Sequence, residues 1–156
     1  MIVTVPRPIF LTLVMIVAAV FGVIGVVTSV GFLLAAGSGA GPYTLNGGLV
    51  SREEFMGFAI PFLGSGTVLS VMAVSLSWAL RHDRAWSRPL LLGMFAYMAA
   101  FSLVGGGLAG MPMKRLVATT MSGALLLLSL WFYLYKRDDI TVYFDAIAER
   151  DRAERG

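Results

Sequence analysis

Four long apolar segments, separated by short polar connections, dominate the pattern of hydrophobic and polar residues along this chain. None of them contains Asp, Glu, Lys, Arg or His, and they cover residues 9–36, 55–80, 89–111 and 116–135. A run of about 20 apolar residues is enough for a helix to cross the hydrocarbon core of a bilayer. Short connections favour antiparallel neighbours. We therefore predict an all-α, polytopic membrane protein with four transmembrane helices in two antiparallel hairpins.

The first connection, residues 37–51, is the longest and is rich in glycine. Asn46-Gly47-Gly48 separates two short stretches of residues that favour strands, which predicts a tight hairpin turn. Ser51 and Glu54 have the spacing of a capping box, in which each side chain bonds to the backbone amide of the other residue. We expect the second helix to begin at this box, before the chain enters the membrane.

The second connection, residues 81–89, is a charged hinge between the two predicted hairpins. Pro89 is expected to open the third helix, because proline is well suited to the first helical turn. The residue before a proline is pushed away from helical geometry. We therefore expect Arg88 to lie outside the helix.

Small residues recur on one face of each of the first two apolar segments, at successive spacings of four, three and four. They are Ala18, Gly22, Gly25 and Ser29 in the first segment, and Gly66, Ser70, Ala73 and Ser77 in the second. Small side chains let two helix backbones approach closely inside a membrane. We expect the two faces to pack against each other within the chain. A contact surface for another membrane protein is the alternative.

The C-terminal tail, residues 136–156, predicts an amphipathic interfacial helix. Its apolar positions fall at i, i+3, i+4 and i+7, and they are Ile140, Tyr143, Phe144 and Ile147. Such a stripe on an otherwise polar helix is typical of a segment that lies on the membrane surface. Docking of this helix on a partner subunit is the alternative.

Composition agrees with one integral membrane domain over residues 1–156. Hydrophobic residues make up 58% of the chain and charged residues 13%, whereas soluble domains average about 45–50% and about 25%. Nine of the twelve Lys and Arg residues fall on the side shared by both termini and the hinge, and three on the other. Positive charge is enriched in cytoplasmic loops. We expect a prokaryotic inner (cytoplasmic) membrane protein with both termini cytoplasmic, whose basic residues contact the lipid bilayer and not nucleic acid.

The hinge holds the one histidine of the chain and offers the richest chemistry. We expect five hinge residues to contact lipid headgroups or a partner: Arg81, His82, Arg84, Trp86 and Arg88. His82 has the chemistry to ligate a haem iron or a chlorophyll magnesium, or to act as a general base beside Asp83. A solvated histidine that caps a helix end is the commoner role, and we favour it.

Several function classes are excluded or disfavoured by what the sequence lacks. There is no cysteine, so disulfides and thiolate metal sites are absent. The apolar segments contain no acid or base, which argues against ion-coupled transport. A single histidine excludes haem bound by two histidines. We expect no catalytic, cofactor-binding or metal-binding residues and no enzymatic activity.

Two functions fit these patterns. The first is a non-catalytic four-span subunit or scaffold that packs with other subunits in a larger membrane protein complex, such as a respiratory or photosynthetic one. The second is a binder or carrier of an apolar small molecule, a lipid, quinone or pigment, held between the spans. The small-residue faces and the docking tail favour the first.

Overall fold

The computed structural model describes residues 6–39, 42–45, 48–108 and 112–153, in which the chain forms five α-helices and one pair of short strands. The elements in chain order are α1 (Ile9–Gly37), β1 (Tyr43–Leu45), β2 (Gly48–Val50), α2 (Arg52–Arg81), α3 (Ser87–Leu108), α4 (Met113–Lys136) and α5 (Asp138–Ala153). The all-α prediction is confirmed. Helices α1 to α4 are long and apolar enough to cross a membrane.

The capping box predicted at the start of α2 is present. The Ser51 hydroxyl accepts a hydrogen bond from the Glu54 amide at 3.2 Å, and the Glu54 carboxylate accepts one from the Ser51 amide at 3.1 Å. These bonds satisfy amide groups that have no partner within the first turn of a helix. The local sequence therefore sets the beginning of α2.

The predicted start of the third helix was wrong. Helix α3 begins at Ser87, so Arg88 and Pro89 both lie in its first turn. A proline is tolerated there because the amide it lacks would have no helical partner, and the amide of Arg88 donates to the Ala85 carbonyl at 3.3 Å. Helix α4 begins at Met113 and therefore includes three residues before the apolar segment 116–135.

Strands β1 and β2 pair antiparallel, with Tyr43 opposite Val50 and Leu45 opposite Gly48. The predicted turn residues Asn46 and Gly47 lie outside the described residues. The Tyr43 ring packs on Phe55 at a centroid distance of 5.0 Å, and this contact attaches the strand pair to the start of α2. Two strands of three residues are marginal alone, so this contact helps to hold them.

The two small-residue faces contact each other where α1 packs along α2. A Cβ atom added at Gly22 would lie 2.9 Å from the Val74 amide nitrogen, and one added at Gly25 would lie 2.1 Å from the Ser70 hydroxyl. Farther along α1, Ser29 faces Gly66. Ala18, Ser29, Ser70 and Ala73 are buried, whereas Ser77 is half-buried. The close approach is possible because these positions carry little or no side chain.

Helix α3 contacts both α2 and α4, and α4 also contacts α5. Helices α1 and α4 meet at Phe10 and Tyr133, whose rings pack edge to face at 4.7 Å. Within the described residues, they do not pack along their length. The main buried cluster lies at the end of the helices near the hinge, and includes Leu11, Leu76, Leu80, Leu91, Leu134 and the apolar stripe of α5.

Candidate functional site

Helix α5 folds back against the hinge end of the other helices. Its four stripe residues, Ile140, Tyr143, Phe144 and Ile147, are at most 5% exposed and belong to the main buried cluster. The prediction that this stripe faces the membrane or a partner was therefore wrong. The chain itself supplies the apolar surface, through residues such as Leu80, Leu91 and Leu134. Arg137 alone separates α4 from α5, which keeps α5 beside that surface.

A polar cluster joins the N-terminal segment, the hinge and α5. We call Arg7, Asp83, Tyr143 and Arg150 the Asp83 cluster. The Asp83 carboxylate accepts hydrogen bonds from the Arg7 guanidinium at 2.6 Å and from the Tyr143 hydroxyl at 2.5 Å. The Asp83 carbonyl accepts a third from Arg150 at 2.9 Å. Three distant parts of the chain thus meet on one residue.

The backbone of Asp83 has an unusual conformation that explains its position. Its φ of 48° lies in the left-handed region. The amide of Arg84 donates to the Ala79 carbonyl at 2.9 Å, and the amide of Asp83 donates to the Leu80 carbonyl at 3.3 Å. This pair of bonds is the Schellman motif that ends many helices, usually with glycine in the left-handed position. Aspartate is less suited to that position, and its carboxylate offers the compensating contacts.

Burial and the neighbouring groups together set the pKa values of the ionisable groups of the cluster. Burial by itself raises the pKa of Asp83, but hydrogen bonds from Tyr143 and Arg7 and the nearby positive charges outweigh it, so that the pKa is lowered. Burial and the bond to Asp83 raise the pKa of Tyr143 to about 12. Burial lowers the pKa of Arg7, and its bonds to Asp83 and Tyr143 more than reverse that effect. At neutral pH the cluster therefore holds a charged pair bridged by a protonated phenol.

Arg88 is half-buried, and its side chain contacts α4 and α5. Its predicted contact with a lipid headgroup or a partner stays a prediction. Its guanidinium lies 4.0 Å from the ring centre of Tyr135 and 5.3 Å from that of Phe144. It also donates to the Leu134 carbonyl, one of those that α4 leaves without a helical partner at its end. Because Arg88 lies in the first turn of α3, its side chain links the start of α3 to α4 and α5.

Arg84 makes a second link between the hinge and α5. It lies 3.6 Å from the carboxylate of Asp151, which is 7% exposed. Buried carboxylate oxygens normally have a hydrogen-bond partner. In the described part of the chain, Oδ1 of Asp151 has none, and its ion pair with Arg84 offsets part of the cost of burying the charge.

The other hinge residues predicted to contact lipid headgroups or a partner, Arg81, His82 and Trp86, are exposed. His82 is the C-cap residue of α2, and its Nδ1 atom lies 2.8 Å from the Trp78 carbonyl oxygen. Its ring packs on Trp78, and Trp78 stacks on Trp86 at 6.2 Å. Arg81 is exposed beside them. The described residues contain no group of three His, Cys, Asp or Glu side chains able to hold a metal ion.

The Asp83 cluster was not predicted from the sequence, in which Arg7 was only a basic residue at the edge of a helix. One signal was available, because the hydroxyl of a buried tyrosine usually needs a polar partner, and Tyr143 lies on the apolar stripe. The geometry of the cluster suits a mechanical tie between segments, since its polar groups bond to one another. Comparisons with protein-family models, with curated proteins and with solved structures find no match to this chain.

Proposed function

We propose that this protein is a non-catalytic, four-span scaffold subunit that packs within a larger membrane protein complex. In this proposal α1 and α2 form one transmembrane hairpin, and α3 and α4 form the second. The Asp83 cluster and α5 hold the two hairpins together at one end. The outer faces of the hairpins are the surfaces that other subunits contact.

One observation carries this proposal: the four long helices leave α1 and α4 as open edges. Within the described residues these two helices meet near Phe10 and Tyr133 and do not pack along their length. Large apolar side chains stay exposed on both, including Phe21 at 70% and Leu128 at 63%. Exposed apolar patches this extensive mark surfaces that lipid or other proteins cover.

The polar groups of the Asp83 cluster and of the two ends of α2 support a structural role over a catalytic one. Asp83 and Tyr143 bond to each other and to arginines. Glu54 caps α2, and His82 caps the other end of the same helix. A catalytic group must instead lie within hydrogen-bonding distance of a substrate.

We place the Asp83 cluster on the cytoplasmic side. It brings Arg7, the hinge and α5 to the same end of the helices, and this end carries most of the basic residues. The positive-inside rule then assigns this end to the cytoplasm. Single cysteines at Thr44 and Glu149, both exposed and in a chain that has no cysteine, test this orientation. A membrane-impermeant thiol reagent applied to intact cells should label Thr44→Cys and not Glu149→Cys, and the reverse labelling would overturn the assignment.

Assembly is tested with a photoreactive amino acid placed at Phe21 or at Leu126, which is also exposed on α4, in cells, followed by purification in a mild detergent. We expect cross-links from at least one position to other membrane proteins. We also expect a particle whose protein mass, without bound detergent, exceeds the 16.7 kDa of the protomer. The matched control carries the same amino acid at Glu149, on the exposed polar side of α5. Cross-links from the control alone would place the contact elsewhere.

A small uniform particle with no protein cross-link from either helix would refute the scaffold proposal. If that particle carries an extracted quinone, pigment or lipid between its spans, the second candidate function, binding of an apolar small molecule, replaces the first. The lack of lengthwise packing between α1 and α4 within the described residues favours this second candidate.

A further inference from the structure

We propose that α4 and the start of α5 form a binding site for one phosphatidylethanolamine molecule. Its phosphate would lie at Arg137, its ammonium group at Asp138 and Asp139, and an acyl chain along Leu128 and Phe132. The inference rests on one part of the proposed function, that α4 spans the membrane with its end at the cytoplasmic interface. It does not depend on assembly with other subunits.

The acyl-chain part of the site is a groove of about 510 Å³ on α4, lined by Leu128, Ser129, Phe132, Tyr133 and Arg137. Leu128 and Phe132 are largely exposed and apolar, and the groove becomes polar toward Arg137 at the end of the helix. A lipid has the same sequence of properties, from apolar chain to charged headgroup. Tyrosine and arginine at the end of a spanning helix are typical of the headgroup level.

The phosphate would be bound by Arg137. Its side chain is 57% exposed and lies over the Tyr133 ring, 5.0 Å from the ring centre. Its Nε donates to the Asp139 carboxylate at 2.8 Å, which leaves other guanidinium N–H groups for a phosphate. An exposed ion pair of this kind contributes little to stability, so it does not oppose a second anion strongly.

The ammonium group would be bound next to this arginine. A second groove of about 530 Å³ is lined by Pro6, Arg7, Pro8, Ile9, Asp138, Asp139 and Val142. Both aspartates are exposed there, whereas the Arg7 guanidinium is engaged by Asp83. The Arg137–Asp139 ion pair joins the two grooves. Positive and negative charges therefore lie side by side at the mouth of an apolar groove.

This charge arrangement selects among common phospholipids. The primary ammonium of phosphatidylethanolamine donates hydrogen bonds to carboxylates, as the ammonium of lysine does. Phosphatidylglycerol carries no cation and would bring its phosphate near two carboxylates, which repel it. The quaternary ammonium of phosphatidylcholine has no N–H donor. We therefore infer a preference for ethanolamine over glycerol and choline headgroups.

The test uses the purified, delipidated full-length protein in detergent. It is titrated with phosphatidylethanolamine or phosphatidylglycerol with identical acyl chains, and bound lipid is counted by native mass spectrometry. We expect a preference for phosphatidylethanolamine, and Arg137→Gln should weaken its binding by up to about fivefold. Arg137→Lys keeps the charge and should restore most of the affinity. The double variant Asp138→Asn with Asp139→Asn should lose the preference for ethanolamine over glycerol.

Lys136→Gln is the matched control, because it makes the same change in charge one residue away. Lys136 lies 5.9 Å from the Trp131 ring centre and lines neither groove. Equal binding of the two lipids by the unchanged protein would overturn the proposal. So would equal loss of binding in the Lys136 and Arg137 variants, or binding unchanged by Arg137→Gln. Melting temperatures of all variants identify any that fail to fold. If Arg137→Gln is among them, the Asp138→Asn, Asp139→Asn double variant decides, and a retained preference for ethanolamine over glycerol would overturn the proposal. Because the readout is on the isolated protomer, failure of the scaffold proposal leaves this result intact.

Discussion

Replacing Gly22 by alanine tests whether the close approach of α1 and α2 holds these two helices together. The added Cβ atom would lie 2.8 Å from Val74 Cγ2, 2.9 Å from the Val74 amide nitrogen and 3.1 Å from the Ser70 carbonyl oxygen. Two of these three atoms belong to the backbone of α2 and are not able to move by a change of side-chain rotamer. The helices must therefore separate locally to accept a single methyl group.

The expected magnitude follows from two opposing effects. Overpacking of a close contact destabilises a fold by about 1–3 kcal/mol, whereas replacing glycine by alanine inside a helix stabilises it by up to about 1 kcal/mol. Gly31→Ala separates the two, since Gly31 lies in the same helix and nothing lies within 4 Å of its added Cβ atom. The helix effect cancels between the variants. We expect Gly22→Ala to be less stable than Gly31→Ala by about 1–3 kcal/mol.

The assay is thermal unfolding of both variants in the same mild detergent, followed by far-ultraviolet circular dichroism and tryptophan fluorescence. For soluble chains of this size, 1 kcal/mol corresponds to about 2–4 °C in Tm, so the difference should be measurable. Gly66→Ala should behave like Gly31→Ala, because its nearest atom, the Ser29 hydroxyl oxygen, is 3.9 Å away. If Gly22→Ala and Gly31→Ala unfold at the same temperature, the close contact between α1 and α2 does not stabilise the fold.

Four further predictions concern the hinge and α5. Tyr143→Phe removes the hydrogen bond to the Asp83 carboxylate and should destabilise the protein by about 1–3 kcal/mol in the same unfolding assay. Tyr97→Phe is the control outside the Asp83 cluster. An equal effect of the two substitutions would contradict a stabilising role for the Tyr143 hydroxyl. The pKa of Tyr143 is raised to about 12. Its contribution to stability should therefore be complete below about pH 10, the pKa of tyrosine in the unfolded state, and should be lost as the pH rises through 12. Tyr143→Phe should not show this loss. Because the pKa of Asp83 is lowered, its carboxylate should stabilise the fold above about pH 4 and lose that effect as the pH falls through the lower pKa of the folded state. Asp83→Asn should flatten this dependence of Tm on acid pH. An unchanged slope would count against a stabilising role for the Asp83 carboxylate. Asp83→Gly removes the strain of a left-handed backbone at a non-glycine residue, which is worth about 1–2 kcal/mol. It also removes two charge-assisted hydrogen bonds, each worth about 1.5–3 kcal/mol when buried and less at this partly exposed site. We expect a net fall in Tm, and a rise would show that the backbone effect is the larger.

Much of the helical architecture could be predicted from the sequence, because its causes are local. Four apolar segments gave four long helices, and Ser51 with Glu54 gave the start of α2. The spacing of small residues predicted two faces, and those faces meet at Gly22 and Gly25. In each case the decisive pattern lies within a few turns of one helix, so no knowledge of distant residues was needed.

Tertiary structure alone decided what the C-terminal stripe covers and what the hinge arginines contact. An amphipathic stripe specifies that an apolar surface must cover it, but membrane, partner and own chain satisfy that requirement equally well. The choice depends on contacts between residues far apart in the chain, such as Arg7 with Tyr143 and Arg88 with Leu134. The same holds for Asp83, which the sequence presents as one acid among arginines. Only the fold brings the N-terminal segment and α5 to its carboxylate, because those partners lie 76 and 60 residues away.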